Sequence, residues 1–287
     1  MLRPEDLELS GTSSRRGSLL LVVVGAWLSG VGCSVSGPEE RVQEFQRRRA
    51  AIEAELASQP DHPWAGRYDV GDGLGDNVSV WLGPSGQVAA IRTGCLGVYG
   101  ANFGTVCERD GLLCFEFELT SLGGGYGGFP EELVPVSWGE RCYLIEPDAF
   151  QDFAIDCNSG WEPGGMAQGE FLLRSGDEAL PASGRPDVPE AHQALFFETP
   201  LAARVIAVGE STVSREDERE TRTTKVTLDI GRRDGAFPGL LLFGTEGLLE
   251  LTSVEESTSV ASFEDFGADG PLPSVGWELV TRRTEDD

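Results

Sequence analysis

The chain has 287 residues, with 22 Lys and Arg against 48 Asp and Glu, for a formal net charge of −26 at pH 7. A body this acidic repels phosphate backbones, which excludes nucleic-acid binding as a function class. Glycine (38) and proline (16) approach a fifth of the residues, a composition of many turns between short strands rather than of low complexity.

In chain order, Arg15 and Arg16 precede an apolar run of ten residues, Leu19 to Leu28, followed by small residues and then Cys33. Ten residues are too few to cross a hydrocarbon core about 30 Å thick. The order basic, apolar, small is that of a cleaved secretory signal, expected over residues 1–32. "LSGVGC" (Leu28 to Cys33) resembles the lipobox of bacterial lipoproteins, in which the cysteine after the cut receives lipid. The resemblance implies lipidation of Cys33 and the membrane as a partner through that lipid. Gly30 stands where the lipobox carries Leu, so ordinary signal cleavage near Gly32 stays open. The expected address is the bacterial cell envelope, lipid-anchored, or the secreted space.

Residues 33–60 read as a helical spacer. Within Pro38 to Pro60, Val42, Phe45, Ile52 and Leu56 share one stripe at helical steps, interrupted by Arg49. Glu39 and Glu40 sit where the helix dipole favours acids. Such a helix either holds the body off a membrane or docks upon it.

Residues 61–175 read as a barrel-like β-meander with one short helix. Runs such as "GRYDV", "NVSVWLG", "QVAAIRT", "GTVCE" and "LLCFEFELT" alternate apolar and polar residues between Gly, Pro and Asp-Gly turns. "PDAFQDFAIDCNSG" predicts the helix, with Phe150, Phe153, Ala154 and Cys157 on one face and Gly160 as its stop. Ser121 to Pro130 reads as a glycine-rich loop carrying two aromatics.

The segment "WAGRYDVGDGLGDNVSVWLGPSGQ" (Trp64 to Gln87) admits three readings: a phosphate cradle, a calcium loop or a turn. Its glycines are spaced G-x-G-x-G and lead into a strand, and the domain contains no lysine, so both dinucleotide and P-loop readings fail. Asp69, Asp72, Asp76 and Asn77 could offer oxygens to calcium, but Val80 stands where an EF-hand loop carries its bidentate Glu. The expectation is a turn, with Asp72, Gly73 and Gly75 as its bend, holding no metal and no other cofactor. More loosely, this stretch with "GCLGVYGANFGTV" and "VSWGERCYLI" is similar to a group of uncharacterised exported bacterial proteins, which implies no activity. It also resembles the lipocalin-like meander barrels of envelope lipoproteins.

Residues 176–200 carry prolines and no periodic pattern, as a Pro-rich linker or extended arm would. Strands return over residues 201–287, with "SREDERETRT" (Ser214 to Thr223) as a charged hairpin tip. Six strands in so short a span predict a small β-barrel that folds alone. "VTLDIGRRDGAFPGLLLF" (Val226 to Phe243) resembles the small β-barrel modules of bacterial cell-shape and flagellar envelope scaffolds, whose G-x-x-D-G-x-x-x-G pattern falls on Gly231, Asp234, Gly235 and Gly239. That resemblance implies scaffolding, with these four residues as structural turns. The fold class expected of the whole is thus mainly β: an N-terminal meander domain with short helices and a small C-terminal barrel, after a signal peptide and a helical spacer.

Catalytic motifs are scarce. The two histidines, His62 and His192, lie beside no evident nucleophile, and neither G-x-S-x-G nor H-E-x-x-H occurs. Beyond Cys33 there are five cysteines and no C-x-x-C. In an oxidising compartment up to two disulfides fit, with Cys95, Cys107, Cys114 and Cys142 as candidates. The alternative is free cysteines packed as small apolar groups. The function expected is a non-catalytic binding or scaffolding module whose partner is an envelope protein or a small ligand. The alternative is a secreted hydrolase with a carboxylate pair in the first β domain.

Overall fold

The computed structural model describes residues 38–71, 73–118, 129–163, 171–216, 219–245, 247–266 and 270–282. The expected signal segment, Cys33, Asp72 and most of the glycine-rich loop after Ser121 lie outside them.

Helix α1 (Pro38–Ser58) lies on the outer wall of the first barrel. Its apolar stripe is what holds it there: Phe45 and Ile52 are fully buried against Trp81, Ala89 and Phe103. Arg49, which breaks the stripe in sequence, sits over the Trp81 ring at 5.6 Å, and Arg48 sits over Phe103 at 5.3 Å. Both guanidiniums cover aromatic faces while remaining near water. The helix therefore docks on the body.

Glu44 accepts hydrogen bonds from Arg47 and from Arg48 at 2.8 Å, which hold its carboxyl down from 4.5 to about 2. A carboxyl lowered on folding stabilises the fold above its ordinary value and loses that contribution as pH falls through the folded value. Between pH 4.5 and 2, stability should thus fall less in Glu44→Gln than in the parent, read as urea midpoints across that window.

The first barrel comprises β1 (Gly66–Val70), β2 (Asn77–Leu82), β3 (Gln87–Gly94), β4 (Gly97–Arg109), β5 (Leu112–Phe117), β6 (Glu132–Trp138), β7 (Arg141–Ile145) and β8 (Leu172–Arg174). Each strand pairs antiparallel with the next, and β8 returns to β1 through Tyr68↔Arg174 and Asp69↔Leu173. Period-two alternation sends Tyr68, Val78, Val80, Leu82, Val88, Leu113, Phe115, Leu133, Leu144 and Leu172 into one interior cluster.

Strands β6 and β7 are apolar on both faces. Val134, Val136, Trp138, Tyr143 and Ile145 belong to a second cluster, covered by α2 (Phe150–Ser159) through Phe150, Phe153 and Ala154. Phe171, Val188 and Phe196 complete that cover. As expected, α2 ends at Gly160, whose φ of 74° is left-handed and closes the last turn.

The second barrel is built from β9 (Ala202–Glu216), β10 (Arg219–Leu228), β11 (Leu241–Gly244), β12 (Gly247–Val254), β13 (Ser259–Phe266) and β14 (Glu278–Val280). It closes in the order β10-β13-β12-β11-β14-β9. Its core residues Val205, Val226, Leu242, Leu249, Leu251, Phe263 and Leu279 lie in the same cluster as α2 and the outer face of β6–β7. Both barrels fall within one compact unit, Gly37–Asp287. The charged stretch expected as a hairpin tip is mostly ladder: β9 and β10 stay paired out to Glu216↔Arg219.

The Pro-rich segment 176–200 is strapped to the first barrel. Arg141 donates to the carbonyls of Leu180 at 2.6 Å and Glu178 at 2.9 Å. Asp177 is buried and accepts from the Cys142 amide at 2.8 Å and from Arg174 at 3.0 Å. Trp138 donates its indole N–H to Gly184, and a short 3₁₀ helix, Glu190–Leu195, delivers Phe196 to the shared core.

Candidate functional site

Among the described residues, Asp69, Asp76 and Asn77 at the turn between β1 and β2 give their side-chain oxygens to protein donors. Asn77 Oδ1 accepts from the Gly73 amide at 2.6 Å, the carboxylate of Asp76 is held by Arg92 at 2.7 and 2.8 Å, and Asp69 accepts from Ser79, Arg67 and Ser175. The acids therefore point to different partners, and the segment joins β1 to β2 as a hairpin. Gly73 has a φ of 79°, and Gly75 lies in the same bend. Among the described residues no group of three or more His, Cys, Asp or Glu is placed to hold a metal ion.

The second group of turn residues forms the seam between the halves. The Gly231 amide donates to Asp234 Oδ2 at 2.9 Å, and a Cβ on Gly231 would lie 2.5 Å from the Glu256 carbonyl oxygen. Gly235 packs under Phe197. Gly239, at φ 83°, faces Ile155 of α2, and Gln151 of the same helix donates to the Pro238 carbonyl at 2.9 Å. Gly239→Val should destabilise by about 1 kcal/mol or more, because it combines a left-handed backbone with a crowded contact. A thermal melt that leaves Tm unchanged would refute this.

The two histidines have packing roles. His62 Nδ1 accepts from the Ala65 amide at 3.1 Å, and the His192 ring stacks on Phe150 at 4.2 Å. The five cysteines beyond Cys33 are all thiols, with Cys95 exposed, Cys157 buried and the other three half-buried.

The feature suited to a ligand is a cleft of about 330 Å³ where the arm, α2 and the end of β14 converge. That size falls within the range of small-molecule sites. Trp138 at the end of β6, Phe196 and Phe197 form aromatic wall, and Cys157 and Asn158 of α2 form the floor. Gly184, Arg185, Pro186, Glu198 and Pro200 come from the arm, and Thr281 and Arg282 follow β14.

Its geometry is fixed by hydrogen bonds on each side. Asn158 donates to the Leu195 carbonyl at 2.8 Å and accepts from the Phe197 amide at 3.0 Å, pinning the arm to the helix. Thr281 Oγ1 accepts from the Leu201 amide at 3.0 Å, which anchors the other wall. Arg282 lies across the C-terminal end of α2, and a Cβ on Gly160 would come within 2.6 Å of its Nε. Glycine there both ends the helix and leaves room for a cation at the negative end of the helix dipole.

Burial pushes the Cys157 thiol strongly up, the neighbouring Asp156 adds to this and Arg282 opposes it. A thiol so disfavoured as thiolate is a poor nucleophile. The described lining thus offers apolar aromatic surface, two exposed guanidiniums and a single carboxylate, Glu198. This arrangement is chemically suited to seating an anion with an apolar body.

No sequence motif marks this cleft, because its residues come from five separated stretches. One signal was available: Phe196-Phe197, two adjacent aromatics at the end of an aperiodic Pro-rich segment, need burial that a free linker cannot supply. Comparison of the chain with family models, with curated proteins and with solved structures finds no match.

Proposed function

We propose that this chain is an exported, lipid-anchored envelope protein that acts as a non-catalytic binding module, its ligand seated in the cleft between arm, α2 and β14. The observation that supports this most is the lining itself: aromatic walls from Trp138, Phe196 and Phe197 beside the guanidiniums of Arg185 and Arg282. In a chain of net charge −26, two adjacent cations make a local site for a small organic anion. A hydrolase of the carboxylate-pair kind needs two acids at one cleft, and here Glu198 stands beside cations and a suppressed thiol.

Titration calorimetry with a panel of aryl and alkyl carboxylates and phosphates tests the reading. At least one should bind with negative heat-capacity change, and Arg282→Gln should weaken it about tenfold or more. Binding unaffected by Arg282→Gln and by Phe197→Ala would overturn the site. Mass spectrometry of the mature N-terminus tests the anchor, expected as lipid on Cys33; a product beginning elsewhere overturns that part alone. Among the described residues no helix is long and apolar enough to cross a membrane.

A further inference from the structure

Cys107 and Cys114 stand directly opposite each other on the β4–β5 hairpin. The hairpin closes with Asp110 at φ 53° and Gly111 at φ 81°, the left-handed pair of a two-residue turn that fixes register. Flanking them, the Val106 amide donates to Gly86 and the Phe115 amide to Glu131, both away from the hairpin. The next pair toward the turn, Cys107 and Cys114, is therefore a hydrogen-bonded pair, whose Cα atoms lie about 5.5 Å apart. That Cα spacing falls within the range a disulfide spans, but side chains of a hydrogen-bonded pair stand farther apart than those of its non-hydrogen-bonded neighbours, so a bond here closes under strain and is readily reduced. Both side chains are half-exposed, while Val106, Leu113 and Phe115 on the alternate positions fill the barrel interior.

The other cysteines among the described residues are separated from this pair by the fold. Cys142 packs against the barrel interior, on the opposite side of the sheet. Cys157 lies under α2 in the shared core. Cys95 sits in the turn before β4, a strand that runs about 40 Å toward Cys107. One juxtaposition remains.

We propose that Cys107 and Cys114 are a redox pair that closes into a cross-strand disulfide, a strained and reversible staple, on meeting a disulfide oxidant. The thiolate of one cysteine attacks the oxidant's disulfide, forming a mixed disulfide and releasing one oxidant thiol. The second thiolate attacks the bound cysteine sulfur and displaces the remaining oxidant thiol. Two protons and two electrons leave the pair, and the oxidant's disulfide is reduced to two thiols. The proposal is independent of the ligand cleft.

The full chain, purified reduced and then exposed to oxidised glutathione, provides the test. The expected result is a mass loss of about 2 Da per staple, with tryptic peptides 93–109 and 110–141 joined. Because peptide 93–109 also carries Cys95, the link should persist in Cys95→Ser and vanish in Cys114→Ser. Excess reduced glutathione should reopen the link, as a strained disulfide allows, and Cys107→Ser should form none. A link to peptide 142–174, glutathione adducts without an internal link, or no reaction at all would each overturn the proposal. Circular dichroism of the serine variants should match the parent, since both positions are half-exposed; a confirmed link that excess reduced glutathione leaves closed would refute the strained, reversible pair.

Discussion

Phe153→Ala should destabilise the whole chain by about 3–5 kcal/mol, the cost of deleting a fully buried aromatic ring. Phe153 has no exposed surface, and its ring meets those of Trp138, Tyr143, Phe171 and Phe196 at 5.3 to 6.2 Å. These partners belong to β6, β7, the segment leading into β8 and the arm, so one ring ties four elements to α2. The void cannot collapse without shifting several strands at once. Phe153→Leu, which keeps most of the volume, should cost distinctly less. Urea unfolding followed by tryptophan fluorescence measures both, and a loss under about 1 kcal/mol for Phe153→Ala would contradict the packing described.

Arg141→Ala should cost about 2–4 kcal/mol and release the arm. The Arg141 side chain is only 10% exposed and reaches the carbonyls of Leu180 and Glu178, the Tyr143 hydroxyl and the Glu162 carboxylate. Its removal leaves arm carbonyls without their donor, and they recover hydrogen bonds only by turning to water. Arg141→Lys should fail to restore stability, because an ammonium cannot serve partners spread around a planar fork. The measurement is limited digestion with a glutamate-specific protease: cleavage after Glu178 and Glu190 should accelerate in both variants, and an unchanged rate would show that Arg141 does not hold the arm.

The reach of the sequence is clearest at particular residues. Alternation over Val78 to Leu82 marks a strand with an inward face, and the structure sends Val78, Val80 and Leu82 into the barrel interior. The stripe of Phe45 and Ile52 marks a helix, but not what it covers; Trp81 and Phe103 are outward-facing positions of strands whose pattern looks complete without them. In "VPVSW" the alternation hides a second buried face, because Val134 and Val136 read as strand interior when they in fact meet α2. The arm was illegible for a related reason. Its backbone is satisfied by Arg141, Trp138 and Asn158, donors far away in sequence, so no local period records its order. The cleft inherits that difficulty. Nor does the sequence of the second barrel announce that Phe237 and Leu240 share a buried cluster with α2 and the arm.

The two strand orders bear on how the chain acquires its structure during synthesis. Each strand of the first barrel pairs with its sequence neighbour, so it can zip largely hairpin by hairpin; the longer closures are β7–β8, which spans α2, and β1–β8. The second barrel follows such a path only in part: β9–β10 and β11–β12–β13 pair in sequence, whereas the β10–β13, β11–β14 and β9–β14 ladders join strands separated by others and wait for later parts of the chain. Chains emerge from the N-terminal end, so the first barrel can close while its partner is unfinished. During that interval α2 and the outer face of β6–β7 carry apolar side chains whose cover has yet to be made. The nascent protein thus passes through a stage with one finished barrel and one sticky flank, and it is there that a chaperone or a protease would find its substrate.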